Sequence, residues 1–151
     1  MDALTELSAT RTPDVPLKRV EDRWAAYAST DELSLLAGDA LLHTDIAPHN
    51  ALVNDRAHLI DWAWPTLGPA WVDPAVWVIR LIDAGHTPAG AETWAGHLPS
   101  WHQASPKALS AFAHANARMW SEIECQSGAT WTKKMAASAH AWAAHRDLAG
   151  S

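Results

Sequence analysis

From residue 73 onward the chain repeats one signal, a capping residue followed directly by proline. Asp73-Pro74, Thr87-Pro88 and Ser105-Pro106 each place a side-chain acceptor at a helix N-cap and a proline at the first helical position. Thr130 offers a further cap. The spacing predicts four helices: Pro74 to about Ala84, Pro88 to about Leu98, Pro106 to about Gln126 and Trp131 to about Ala144. Gly85 stops the first. That helix is apolar on most sides through Val76, Trp77, Val78, Ile79, Leu81 and Ile82, so it is expected at the centre of the core. The second half of the chain is therefore a helical stack.

The first half is less regular. Residues 1–18, with Thr12-Pro13-Asp14-Val15-Pro16, read as a loosely ordered leader. Val20 to Ala28 has a helical pattern with Val20, Trp24 and Tyr27 on one face, and Asp31 to Ala37 reads as a short turn of helix. Gly38 breaks it, and Ala40-Leu41-Leu42 leads into a polar loop. Two apolar runs, Ala51-Leu52-Val53 and His58-Leu59-Ile60, flank Asn54-Asp55-Arg56 and predict a β-hairpin. Pro65 to Pro69 reads as a loop. The expected fold is mainly α with a small β-hairpin, an α+β domain over residues 19–148. It divides into a loop at 43–50, the hairpin at 51–60, a second loop at 61–73 and helices at 74–146.

The chain's 151 residues amount to one domain, and 48% hydrophobic with 19% charged residues is an ordinary globular balance. A net charge of −6 disfavours a nucleic-acid partner. It would suit a cationic substrate, although a solvated acidic surface explains it equally well. Ten Trp beside one Phe and one Tyr is unusual; codon bias explains it more simply than a carbohydrate-stacking surface. The lone Cys125 excludes an intramolecular disulfide and a multi-thiolate zinc site, and its neighbours Glu122 and Glu124 argue against a nucleophilic role. The start carries no signal-peptide pattern and no stretch is apolar enough to span a bilayer, so no membrane partner is expected and a cytoplasmic location is the simplest expectation.

The chemistry concentrates between Leu41 and Asp61. His43-Thr44-Asp45-Ile46-Ala47-Pro48-His49-Asn50 has the form H-x-D-x-x-x-x-N, and Leu59-Ile60-Asp61-Trp62 puts an acid at the exit of the second strand. If the two strands pair, Asn50 and Asp61 become neighbours. That arrangement suits phosphoryl transfer, which needs a carboxylate to orient the attacking hydroxyl and oxygen ligands for magnesium on nucleotide phosphates. Asp45 would meet the hydroxyl, while Asn50 and Asp61 would supply the oxygens.

This order of motifs resembles the aminoglycoside phosphotransferase family of kinase-like enzymes. The match covers about residues 41–75; the remaining helices are compatible with that family's C-terminal lobe. The resemblance implies a protein-kinase-like lobe and transfer of a γ-phosphoryl group from ATP or GTP, with Mg2+, to a small hydroxylated acceptor. It implies that Asp45 is the catalytic base, that Asn50 and Asp61 are the metal ligands, and that His43 braces the loop. Gly68-Pro69 and Asp73 match structural positions, with Asp73 a helix cap first.

Two departures stand out. Thr44 occupies a position where the family usually has Gly, and Thr does not reach positive φ cheaply. The second concerns the phosphate-covering N-terminal β lobe. Only 42 residues precede His43, with one Gly (Gly38) and one Lys (Lys18), and no G-x-G occurs anywhere. The expectation is a lobe that is incomplete alone, a truncated relative. Autonomous phosphotransfer is then one reading, and a non-catalytic remnant or binding domain that needs a partner is the other. A homodimer or partner chain would cover the face left by the missing lobe, which would otherwise be an apolar patch.

Other readings are weaker. His43-x-Asp45 also fits half of a two-histidine, one-carboxylate iron site, but such sites usually ride on many-stranded barrels. Trp62, Trp64, Trp71 and Trp101 could stack on a substrate, with core packing the simpler explanation. His49 reads as a loop filler or polar contact. Glu122 and Glu124 could face a cationic acceptor or simply solvent.

Overall fold

The structure, a computed structural model, describes residues 2–150. It is mainly helical with two small sheets, an α+β arrangement as expected. Four helices form the second half: α4 (Val72–Asp83), α5 (Pro88–Ala95), α6 (Pro106–Ser127) and α7 (Thr130–Ala149). The first half contributes α1 (Asp2–Ser8), β1 (Lys18–Arg19), α2 (Val20–Arg23), α3 (Thr30–Ser34), β2 (Ala40–Leu42), β3 (Ala51–Val53), β4 (Ala57–Leu59) and β5 (Thr66–Gly68).

Thr87 and Ser105 cap their helices as their sequence predicts, accepting hydrogen bonds from the Gly90 and Ala108 amides. Thr130 is not the cap of α7: it is the helix's first residue, with Ala129 at the N-cap. Gly128, at φ +62°, turns α6 back into α7. The two helices run antiparallel, with Ser121 bonded to His140 and His114 to Asp147 across the seam. Phe112 of α6 packs against Trp24 at 5.2 Å and Trp71 at 5.6 Å between ring centroids. Trp142 of α7 is fully buried and donates its Nε1–H to Glu92 of α5 at 2.7 Å. As expected, α4 lies at the centre, with Val72, Ala75, Val78 and Ile79 buried.

The first half departs from expectation in three ways. Residues 2–8 of the expected loose leader form α1, because Leu4 and Leu7 are one helical turn apart and both find burial. Leu4 packs with Ile46 and Leu98, so α1 supports the loop that carries Asp45. The predicted helices at 20–28 and 31–37 shorten to α2 and α3, the latter opened by a capping box between Ser29 and Glu32. The supposed loop at Pro65–Pro69 contains β5, the middle strand of a sheet ordered β1-β5-β2. Strand β1 runs parallel to β5 and β2 antiparallel to it, with Lys18 and Leu42 both in register with Thr66. Lys18 lies exposed on the two-residue edge strand, away from any central position. Three-residue strands with distant partners leave no alternating pattern in the sequence, which is why the sheet is not visible there.

Gly38 fixes how this sheet meets α4. A β-carbon there would stand 2.3 Å from the nitrogen and 2.5 Å from the Cα of Pro69. Both are backbone atoms, so nothing can swing aside. Gly38→Ala is expected to destabilise the fold by about 2–3 kcal/mol, as over-packing does in a well-filled core. A urea unfolding midpoint unchanged from wild type would contradict this close approach.

Candidate active site

The hairpin forms, with Ala51 opposite Leu59 and Val53 opposite Ala57, so its second strand sits one residue earlier than the run His58-Leu59-Ile60 suggests. Its second strand ends at Leu59 rather than Ile60, but the Ile60 amide still donates to the Asn50 carbonyl at 2.9 Å. Asn50 and Asp61 therefore flank one end of the hairpin, as the sequence requires. Asn50 closes a single 3-10 turn, Pro48–Asn50, and is buried, whereas Asp61 is exposed.

Asp45 is held from two sides. Its Oδ2 accepts from Asn50 Nδ2 at 2.9 Å and its Oδ1 from the Arg80 guanidinium at 2.9 Å. Asn50 Nδ2 also reaches the Asp45 carbonyl at 3.1 Å. The amide nitrogen is thus committed to Asp45, which leaves the Oδ1 of Asn50 as its hard-oxygen donor. His43 is buried and bridges the loop to the hairpin. Its Nε2 lies 2.8 Å from the Ile60 carbonyl, and its Nδ1 faces the Asp45 amide at 3.3 Å. The carbonyl can only accept and the amide can only donate. Nε2 therefore donates to the Ile60 carbonyl and Nδ1 accepts from the Asp45 amide, so the ring braces the loop.

Asp73 has a larger part than a helix cap. The N-cap of α4 is Trp71, and Asp73 makes no capping bond. Its carboxylate instead accepts from the backbone amides of His43 and Thr44, both at 2.8 Å. Burial pushes the Asp73 carboxyl above its ordinary value, and the two amide donors pull it back down. The cap reading is therefore corrected: Asp73 lies one residue inside the helix, and its side chain is committed to the loop.

The two non-glycine residues with positive φ among those described are Thr44 at +63° and Asp61 at +57°, one on each side of the hairpin. For Thr44 this conformation costs on the order of 1–2 kcal/mol. The hydroxyl offsets it by donating to the Trp64 carbonyl at 2.8 Å and accepting from Arg23 at 2.6 Å. Arg23 also binds the Trp64 carbonyl and Thr66 Oγ1. Burial lowers its pKa from the ordinary arginine value, and the Asp45 charge opposes that shift. Arg23, Arg80 and Asp73 thus join the expected set. Arg80 left a signal in the sequence, since a single charge inside the apolar run Val76-Trp77-Val78-Ile79-Arg80-Leu81-Ile82 needs a partner. Arg23 left none.

Asp45 opens into a cavity of about 600 Å³. Its walls include Trp24, Trp64, Trp120 and Trp131, with Met119 and Met135 between them. Polar groups reach it from Asp45, Arg23, Arg80, Thr44, His49 and Asn116. Trp71 and Trp101 are core residues instead, and Trp62 meets His43 edge-on at 4.7 Å. Glu122, bonded to Gln126, and Glu124 do not line the cavity. Two other exposed apolar residues, Leu52 and Val53, project from the hairpin.

Among the described residues no group of three or more His, Cys, Asp or Glu side chains could hold a metal, and no helix is long and apolar enough to cross a membrane. The donor chemistry at Asn50 and Asp61 nevertheless fits a hard cation completed by phosphate and water, since both offer oxygen and neither offers sulfur or imidazole. Compared with protein-family models, curated proteins and solved structures, the chain matches none.

Proposed function

We propose that this chain is a kinase-like phosphotransferase lobe, related to the aminoglycoside phosphotransferases, that directs the γ-phosphoryl group of ATP or GTP to a hydroxyl on a small molecule. The observation that carries this reading is the Asp45 carboxylate, fixed by Asn50 and Arg80 at the mouth of a ligand-sized cavity.

Asp45 orients the acceptor hydroxyl and receives its proton late in the transfer, consistent with a loose transition state that needs little base strength. Arg80 pairs with the Asp45 carboxylate and holds it still, and His43 sets the path of the backbone beneath it. Asn50 Oδ1 and the Asp61 carboxylate would hold Mg2+, which when bound supplies positive charge to the nucleotide phosphates. Thr44 and Asp73 keep the loop in its left-handed turn.

A second reading is a binding domain whose phosphate-covering lobe comes from another chain or a second copy. The exposed Leu52 and Val53, on the hairpin beside the proposed metal ligands, favour it. Calorimetry with ATP and with GTP, each with and without magnesium, separates the two. Under the first reading the purified chain binds nucleotide only with magnesium, and Asp61→Asn weakens that binding about tenfold or more, as loss of a charged contact does. No magnesium-dependent binding sinks the first reading for the chain acting alone.

A further inference from the structure

We propose that the cavity beside Asp45 takes a predominantly apolar ring alcohol with no positive charge. This inference rests on the phosphotransferase reading only for which group of the ligand reacts. The class of ligand follows from the cavity lining.

Charge decides against a cation. Arg23 and Arg80 bring two guanidinium groups to the lining and Asp45 brings its single carboxylate. That carboxylate is already neutralised by Arg80 at 2.9 Å. An ammonium-rich acceptor would bring its charges to a lining with two guanidinium groups and no unpaired acid, two of whose indoles already face those guanidinium groups. The expectation of a cationic acceptor drew on the net charge of −6 and on Glu122 and Glu124, and neither of these two acids lines the cavity.

The apolar surface decides for rings. Trp120 and Trp131 meet edge to face, 6.0 Å apart at 80°, on one wall. Trp64, under the Arg23 guanidinium at 5.1 Å, is another. Trp131 and Trp64 are both exposed although they lie against a concave surface, so a flat or alicyclic ligand placed between them would remove indole from water. A volume near 600 Å³ is that of a drug-sized ligand.

The charged side chains of the lining are mostly donors, two guanidinium groups against one carboxylate. Asn116 commits its Nδ2 to the Phe112 carbonyl. The ligand that suits such a wall carries one or two acceptor oxygens besides its reacting hydroxyl.

The test is a titration of the full chain followed by tryptophan fluorescence, which needs no nucleotide and no turnover. The probes are androsterone, an alicyclic alcohol with a ketone oxygen, and kanamycin, a polycation. Androsterone should give a saturable change, weakened about tenfold or more in Trp131→Ala, the change expected when an aromatic contact of roughly 1.5 kcal/mol is lost. Kanamycin should give none. Saturable binding of kanamycin, absence of androsterone binding, or androsterone binding indifferent to Trp131→Ala would each overturn the proposal. Androsterone binding without magnesium-dependent nucleotide binding would leave the cavity assignment standing and remove phosphotransfer. Nucleotide binding together with kanamycin binding would do the reverse.

Discussion

Replacing Asp73 with Asn is expected to destabilise the protein by about 2–4 kcal/mol, out of proportion to a change of one atom. Two backbone amides, those of His43 and Thr44, point at the two carboxylate oxygens at 2.8 Å each. An amide side chain offers one oxygen and one NH2, so one backbone N–H would face another donor in a fully buried setting. An unsatisfied buried donor costs roughly 1–3 kcal/mol, and the lost charge-assisted bond adds to it. Asp73→Ala leaves both amides without a partner and should cost about 3–5 kcal/mol. Chemical denaturation reads both. A variant within about 0.5 kcal/mol of wild type would refute the assignment, since that is the scale of neutral surface changes.

The same residue makes stability depend on pH with a definite sign. Burial raises the folded-state pKa of Asp73 above the ordinary 3.8. Between those two values the folded state binds more protons than the unfolded state, so stability falls as pH rises through that window. Asn at this position does not titrate. The advantage of wild type over Asp73→Asn should therefore be largest at acid pH and shrink as pH rises through the raised pKa. An advantage that instead grew with pH would mean that the two amide donors outweigh burial.

The second large effect concerns turnover. Asp45→Ala should lower kcat for phosphoryl transfer by about 10²–10⁴-fold, the range for losing a positioned acid–base group. Nucleotide affinity should change little, because Asn50 keeps its bond to the Asp45 carbonyl and Asp61 is untouched. This split distinguishes a group that meets the acceptor from one that merely supports the loop. A parallel loss of kcat and of magnesium–nucleotide binding would reassign Asp45 to structure. Arg80 loses its counter-charge in this variant, so the unfolding free energy must be measured alongside.

The sequence displayed the local parts of this site. The five-residue step from Asp45 to Asn50 is one loop and one short turn, and the existence of the hairpin, though not its register, follows from two apolar runs and a turn. Both are fixed by neighbours in the chain. Arg23, Arg80 and Asp73 act across 21, 35 and 29 residues, on Thr44 twice and on Asp45, and such distant choices leave little local trace. Asp73 also carried a misleading one, since Asp before Pro reads as a cap whether or not it serves as one. The β1-β5-β2 sheet was hidden for a related reason: its strands are too short to show alternation, and its middle strand lies in a segment rich in proline and glycine.

Asp73 and Arg80 lie on the same helix, seven residues or two turns apart. One grips the main chain of residues 43–44 and the other the carboxylate of residue 45. The segment between β2 and β3 is a loop by conformation, yet mechanically it is an attachment of α4, with two anchor points spaced by the helical repeat. Its position is thus referenced to the most deeply buried helix of the molecule rather than to the surface. A change in the packing behind α4, far from any ligand, would translate both anchors together and move Asp45 without altering a single residue that it touches.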